Sequence, residues 1–124
     1  MKPRIVVDSS IWVDMLAKGP RYSACRTALD LGSICGVPSV VIYEVCRKIA
    51  AKTSSDKALK ASAYLRQYSI LDLTDEVALH AVDLSIEHKL GMADSIVLAH
   101  AFRERATLLT LDNDFRAIPG TKVL

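Results

Sequence analysis

The apolar and polar positions of the chain alternate between two periods, with short β-branched runs separated by longer stretches of helical spacing. Arg4-Ile5-Val6-Val7 is the first such run, and it stops abruptly on Asp8, Ser9 and Ser10. Ser9 to Lys18 then predicts a helix with Trp12, Met15 and Leu16 on one side, ended by Gly19-Pro20. Arg21 to Leu31 predicts a second, closed by Gly32. Ser33 to Val37 is a weak second strand. Pro38-Ser39 follows, with proline suited to a first helical turn and Ser39 to an N-cap. Val41, Ile42, Val45, Ile49 and Ala50 carry the third helix. Thr53 to Asp56 breaks the pattern and caps a fourth, Lys57 to Tyr68. Ile70 to Leu73 is the third strand, and Thr74 caps a fifth helix from Asp75 to about Lys89. A link over Leu90 to Ala93 leads to a sixth helix, Asp94 to Arg105. Thr107 to Thr110 is the fourth strand. A helical turn from Asp114 to Ile118 and Pro119-Gly120 precede a terminal strand, Lys122 to Leu124.

Strands alternating with helices predict βαβ units, hence an α/β fold with a parallel sheet covered on both faces and right-handed crossovers. The 124 residues suit one core-bearing domain, 1–124, rather than two. With 51% apolar and 24% charged residues the composition is that of an ordinary globular protein. No apolar run approaches the roughly 18 residues of a membrane span, and Asp8 and Asp14 interrupt any signal-peptide pattern. The expectation is a cytoplasmic protein without a membrane partner. Cys25, Cys35 and Cys46 form no C-x-x-C pair and read as reduced, small apolar residues.

The net charge of +2 says less than its distribution. From Arg47 to Arg66, six basic residues stand against Asp56, a local balance of +5; from Asp72 to Asp94, six acids stand against Lys89, a balance of −5. A basic stretch on helices suits a phosphate backbone, and a solvated helix face is its ordinary alternative.

Four acids fall at comparable places in this layout. Asp8 follows the first strand, where ligands of open parallel sheets bind. Glu44 interrupts the apolar run of the third helix, Asp94 opens the sixth, and Asp112 follows the fourth strand with Asp114 two residues on. Each has an ordinary explanation: a cap at Asp8, an ion pair from Glu44 to Arg47 or Lys48, a helix-start acid at Asp94, turn residues at Asp112 and Asp114. Four such coincidences are the less economical account. Clustered carboxylates need a counter-charge, since two of them at about 4 Å repel by about 4 kcal/mol at an effective dielectric near 20. All-oxygen donors select Mg²⁺ or Mn²⁺, and such an ion activates water for attack on a phosphoryl group. Phosphodiester hydrolysis fits that chemistry.

Asp8-Ser9-Ser10-Ile11-Trp12, Glu44 within Pro38 to Val45, Asp94 within Leu90 to Ala99, and Asp112 to Asp114 within Leu109 to Phe115 together resemble the four motifs of PIN-domain nucleases. In size and order the chain most resembles VapC-type toxins. Each motif is short, but the ordered set is specific and covers nearly the whole chain. The resemblance implies a three-layer α/β/α sandwich with strand order 3-2-1-4-5 and a Mg²⁺- or Mn²⁺-dependent ribonuclease. It implies that Asp8, Glu44, Asp94 and Asp112 form the catalytic, metal-binding site, with Asp114 as a further acid of the last motif. Ser10 and Thr110 would be supporting hydroxyls. It also implies a homodimer and a complex with an antitoxin that blocks the site. Arg47, Lys48 and Lys52 are candidate RNA contacts one to two turns beyond Glu44. His80, His88 and His100 fall outside the set and read as structural or surface residues, and Trp12 reads as a packing residue.

Two other classes stay open. A phosphoacceptor receiver domain wants paired acids after the first strand and an acceptor Asp ending the third, but Asp8 is followed by serines and Asp72 lies inside its strand. A phosphatase with D-x-D after the first strand fails because position 10 is serine. A PIN-like module that binds RNA or protein without cutting is the remaining alternative.

Overall fold

The computed structural model describes all 124 residues. The opening apolar run forms β1 (Arg4–Val7), and Ile5, Val6 and Val7 are all buried, as expected of a strand covered on both faces. β1 is central. It pairs in parallel with β2 (Ser33–Ile34) on one side and β5 (Thr107–Thr110) on the other, and β6 (Thr121–Val123) adds beyond β5. The predicted second strand is broken into β2 and β3 (Val37–Pro38). The Cys35 N–H still bonds the Ile5 carbonyl, whereas the Val37 N–H bonds Ser69, and β3 runs parallel to β4 (Ile70–Leu71). The strand is thus handed from β1 to β4 at Gly36, where a Cβ would sit 2.8 Å from the Ser69 carbonyl oxygen. Taken as one bent strand, β2–β3 gives the order 3-2-1-4-5.

The helices are α1 (Ser9–Leu16), α2 (Tyr22–Asp30), α3 (Ser39–Lys52), α4 (Ser55–Leu65), α5 (Asp75–His88) and α6 (Met92–Arg103). They cover the parallel sheet as a three-layer α/β/α sandwich. Ser54 and Thr74 cap α4 and α5 by accepting from the N–H groups of Lys57 and Val77. Several expected boundaries move: α4 begins at Ser55 and not Lys57, and β4 ends at Leu71, so Asp72 follows the strand and does not lie inside it. Pro38 is extended and holds the N-cap position of α3, so Ser39 is the first helical residue and not the cap. The Gly91 cap starts α6 at Met92, which puts Asp94 inside the first turn and not at its opening. The turn after β5 is a 3-10 turn over Asn113–Phe115, capped by the Asp112 side chain.

Trp12, Phe115, Ile11, Leu98 and Leu108 are among the fully buried side chains that join α1, α6 and the sheet. Burial of each contributes about 1.5–3 kcal/mol before the entropy cost. α1 and α3 pack together, and α6 contacts α3, β1 and β5. No helix is long and apolar enough to cross a membrane.

Candidate active site

Asp8 is extended at the N-cap position of α1, yet its side chain makes no capping hydrogen bond. The carboxylate is instead gripped from the side. Thr110 Oγ1 donates to Asp8 Oδ2 at 2.7 Å and Ser10 Oγ at 3.0 Å. Each hydroxyl has one proton to donate and commits it to Asp8. As acceptors, Ser10 Oγ takes the Leu111 N–H and Thr110 Oγ1 the Asp112 N–H, both at 3.0 Å. The Asp8 N–H bonds the Leu109 carbonyl at 2.9 Å, and Asp112 Oδ1 accepts from the Asp114 N–H at 2.9 Å. This chain of bonds ties the end of β1 to the loop after β5. Asp8 is only 4% exposed, so the two hydroxyls offset a desolvation that would otherwise be costly.

The helix-borne acids are treated differently. Glu44 makes no ion pair with Arg47 or Lys48, and its buried Oε1 has no hydrogen-bond partner. Burial, then the Asp8 charge, pushes its pKa up, against the Ser9 hydroxyl and Lys48, which favour the charged form. Asp94 is pushed from an ordinary 3.8 up to about 6, first by burial and then by Asp8, Asp112, Glu44 and Asp114. The charges of the other four acids thus all reach Asp94. Asp94, Asp112 and Asp114 each offer an oxygen within 4.8 Å of the others. None of the five is in an ion pair with a basic residue.

The basic candidates divide. Lys48 and Lys52 line a cleft beside Ser10, Asp14 and Leu111, whereas Arg47 lines the groove between α3 and α4 with Tyr43 and Leu59. His100 is buried away from the acids, in a recess with Asp72 and Glu104, and burial holds its pKa low. His80 packs near Phe102, and His88 lies 3.6 Å from Glu87. Cys25 is buried, Cys35 and Cys46 are half-buried, and all three are free thiols. Trp12 is 1% exposed between Tyr64 and Tyr68. Ser9, to which the sequence analysis assigns no role in the site, is buried, and its hydroxyl favours the charged form of Glu44. Its signal was the run of two hydroxyls after a strand-ending acid.

A family model for the PIN domain matches residues 5–120. The chain belongs to the PIN-domain family. The structures similar to this PIN domain agree. A chain of a toxin–antitoxin complex from Klebsiella pneumoniae superposes with a TM-score of 0.80 at 25% identity, covering 96% of each chain. VapC20 from Mycobacterium tuberculosis, a toxin that cleaves the sarcin–ricin loop, gives 0.78 at 17% identity over 93% of this chain and 95% of that one. VapBC2 from Rickettsia felis, solved on a DNA fragment of its promoter, gives 0.73 at 20% identity over 98% and 97%. Among curated proteins, none matches the sequence. In this PIN domain the acids present hard oxygen donors only, with an unpartnered buried oxygen at Glu44 and three carboxylates in reach of one point. That donor set suits a divalent cation.

Proposed function

We propose that this PIN domain is a Mg²⁺- or Mn²⁺-dependent endoribonuclease of VapC type, the toxin of a toxin–antitoxin pair. The observation that carries the reading is the convergence of Asp8, Glu44, Asp94, Asp112 and Asp114 at one end of the sheet without a basic partner. Asp8, Glu44, Asp94 and Asp112 are the catalytic carboxylates and hold the cation, with Asp114 as a further ligand. Bound there, the cation supplies Lewis acidity that activates water and offsets charge developing on the phosphoryl group.

The chain's own residues supply the setting. Ser10 and Thr110 hold Asp8 Oδ2, which orients Asp8 and leaves Oδ1 available to a ligand. The charged forms of Glu44 and Asp94, disfavoured by burial and by their like-charged neighbours, would be stabilised by a bound cation. Lys48 and Lys52, with Arg47 on the neighbouring groove, draw the phosphates in.

The similarity to chains from toxin–antitoxin complexes supports an antitoxin partner. The exposed row Leu79, Val82, Ile86 and Met92 along α5 and the start of α6 supports a homodimer through that face. Incubating the purified protein with labelled RNA, with and without Mn²⁺ and beside Asp94→Asn, tests the central reading. Cleavage that needs Mn²⁺ and is lost in the variant is the expected result. No cleavage in any condition would leave an RNA- or protein-binding PIN module, and cleavage that needs no Mn²⁺ or survives in Asp94→Asn would overturn the metal site.

A further inference from the structure

None of the eight lysines has an ion-pair partner, and five of them line two adjoining depressions. The ion pairs of the fold are Arg4–Glu104, Arg26–Asp30, Glu87–His88 and Glu76–Arg103, and none includes Lys18, Lys48, Lys52, Lys57 or Lys60. Nor are these lysines scattered. Lys48 and Lys52 follow Glu44 at four-residue steps on α3, and their cleft is closed opposite by the end of α1 at Ala17 and Gly19. Ala17 is also a wall of a second depression, between α1, α3 and α4, that contains Lys18, Lys57 and Lys60. The floor of this depression is apolar, with Leu16, Ile49 and Ala61, and one wall is Tyr64. The Tyr64 ring is held near-perpendicular to Trp12 and Tyr68, at centroid distances of 6.0 Å to each, and the residue stays 39% exposed. Lys18 is set by a left-handed backbone, φ 51°, just past the end of α1.

We infer that the two depressions form one channel for a single RNA strand. Phosphates leaving the acid cluster meet Lys48 and Lys52, then Lys18, Lys57 and Lys60, and an unstacked base lies against Tyr64. The inference rests on the ribonuclease reading for its substrate. An acid cluster repels a polyanion, so the strand needs positive charge beginning where the acids end. Lys48 is placed there, close enough to act on Glu44. Lysine, a point charge on a flexible stem, follows phosphates without reading bases. A held, half-exposed aromatic ring over an apolar floor suits the π-face of any base, and only an unpaired base can reach it. An acidic protein segment would also satisfy the lysines. The stepwise run of charge from the acid cluster outward is a requirement of a substrate strand, not of such a segment.

The test measures binding of fluorescein-labelled single-stranded RNA to the full chain in EDTA, so that cleavage plays no part. A Lys18→Ala/Lys57→Ala/Lys60→Ala variant is expected to bind at least about tenfold more weakly at low salt and to flatten the slope of log affinity against log salt by about 2. Tyr64→Leu, which keeps the depression filled, should weaken binding about tenfold at unchanged slope, and Tyr64→Phe should restore it. A duplex of the same sequence should be indifferent to Tyr64→Leu. Unchanged affinity and slope in the triple variant, with its melting temperature intact, would overturn the channel and assign the depression to a protein segment. Groove-dependent binding without Mn²⁺-dependent cleavage would uphold the channel and overturn the ribonuclease reading. Cleavage with groove-independent binding would do the reverse.

Discussion

Asp8 and Asp94 carry the same side chain to the same end of the sheet, and their surroundings are opposite. Asp8 receives two hydroxyl protons on one oxygen, and those hydroxyls are in turn held by the backbone after β5. Asp94 receives burial and four like charges, and its pKa rises to about 6. Glu44 is on Asp94's side of the contrast, with an unpartnered buried oxygen. The strand-borne half of the cluster is therefore finished by the protein itself, whereas the helix-borne half is left with unmet charge. Charges left unmet in this way would couple the binding of a cation to stability, while rigid strand ends keep their geometry. The comparison teaches that fixed geometry and unmet charge can be divided between different elements of one site.

The largest effect expected from breaking this contrast is on cleavage. Asp94→Asn and Glu44→Gln should each lower RNA cleavage by on the order of 100-fold or more, since outer-shell losses alone typically cost about 10–100-fold at metal sites. Asp8→Asn should lose activity comparably and still fold, because the amide oxygen can accept from both hydroxyls. The divergence lies in stability. Without divalent cation, Asp94→Asn and Glu44→Gln should melt no lower than the parent, because each relieves repulsion. Mn²⁺ should raise the melting temperature of the parent and not of Asp94→Asn. A collapse of melting temperature in all three variants would make these acids structural.

Next in size is the hydroxyl bridge. Thr110→Val removes a donor to Asp8 and the acceptor of the Asp112 N–H, and should cost about 1–3 kcal/mol in denaturant unfolding. Thr110→Ser should recover most of it. A neutral Thr110→Val would mean that Asp8 is not held as described.

The pH response of the apo protein is smaller and has a definite sign. Asp94 binds its proton more tightly folded, at about 6, than at its ordinary 3.8, so its contribution to stability is greatest in acid and falls as pH rises through that window. The parent should lose roughly 3–6 °C relative to Asp94→Asn between about pH 4 and pH 7 in EDTA. Parallel melting curves for the two proteins would remove Asp94 from the shared field. The smallest difference concerns the last motif: Asp112→Asn should reduce cleavage several-fold more than Asp114→Asn, because Asp112 is anchored between Thr110 and the 3-10 turn while Asp114 is exposed. Equal or reversed losses would undo that ranking.

Much of this was legible along the chain. Ile5-Val6-Val7 stopping at Asp8 marked the central strand, because a β-branched run buried on both faces leaves no polar position to alternate. The cap at Thr74 is legible, and the capping Ser54 lies within the Thr53 to Asp56 break, since a cap is a local bond between a side chain and an amide three residues on. The failures were also local readings, overruled by distant partners. Pro38 extends and Ser39 becomes helical because Pro38 is registered against Leu71, thirty-three positions away. The second strand breaks at Gly36 because a different neighbour takes over there. Met92 and Ala93 join α6 because Gly91 can start a helix without a side-chain cap.

The sequence by itself determined the order of strands and helices and the parallel sense of the sheet, and it offered the acids as candidates for one set. These follow from periodicity and from where charged residues interrupt apolar runs. Only the tertiary structure decided how the members differ. Which oxygen of Asp8 is held, that Glu44 forms no ion pair with Arg47 or Lys48, and that Lys48 and Lys52 share a cleft while Arg47 lies in another groove all depend on contacts between segments far apart in the chain. Electrostatic environment is a property of distance and burial, and neither is written in the spacing of residues along one strand or helix.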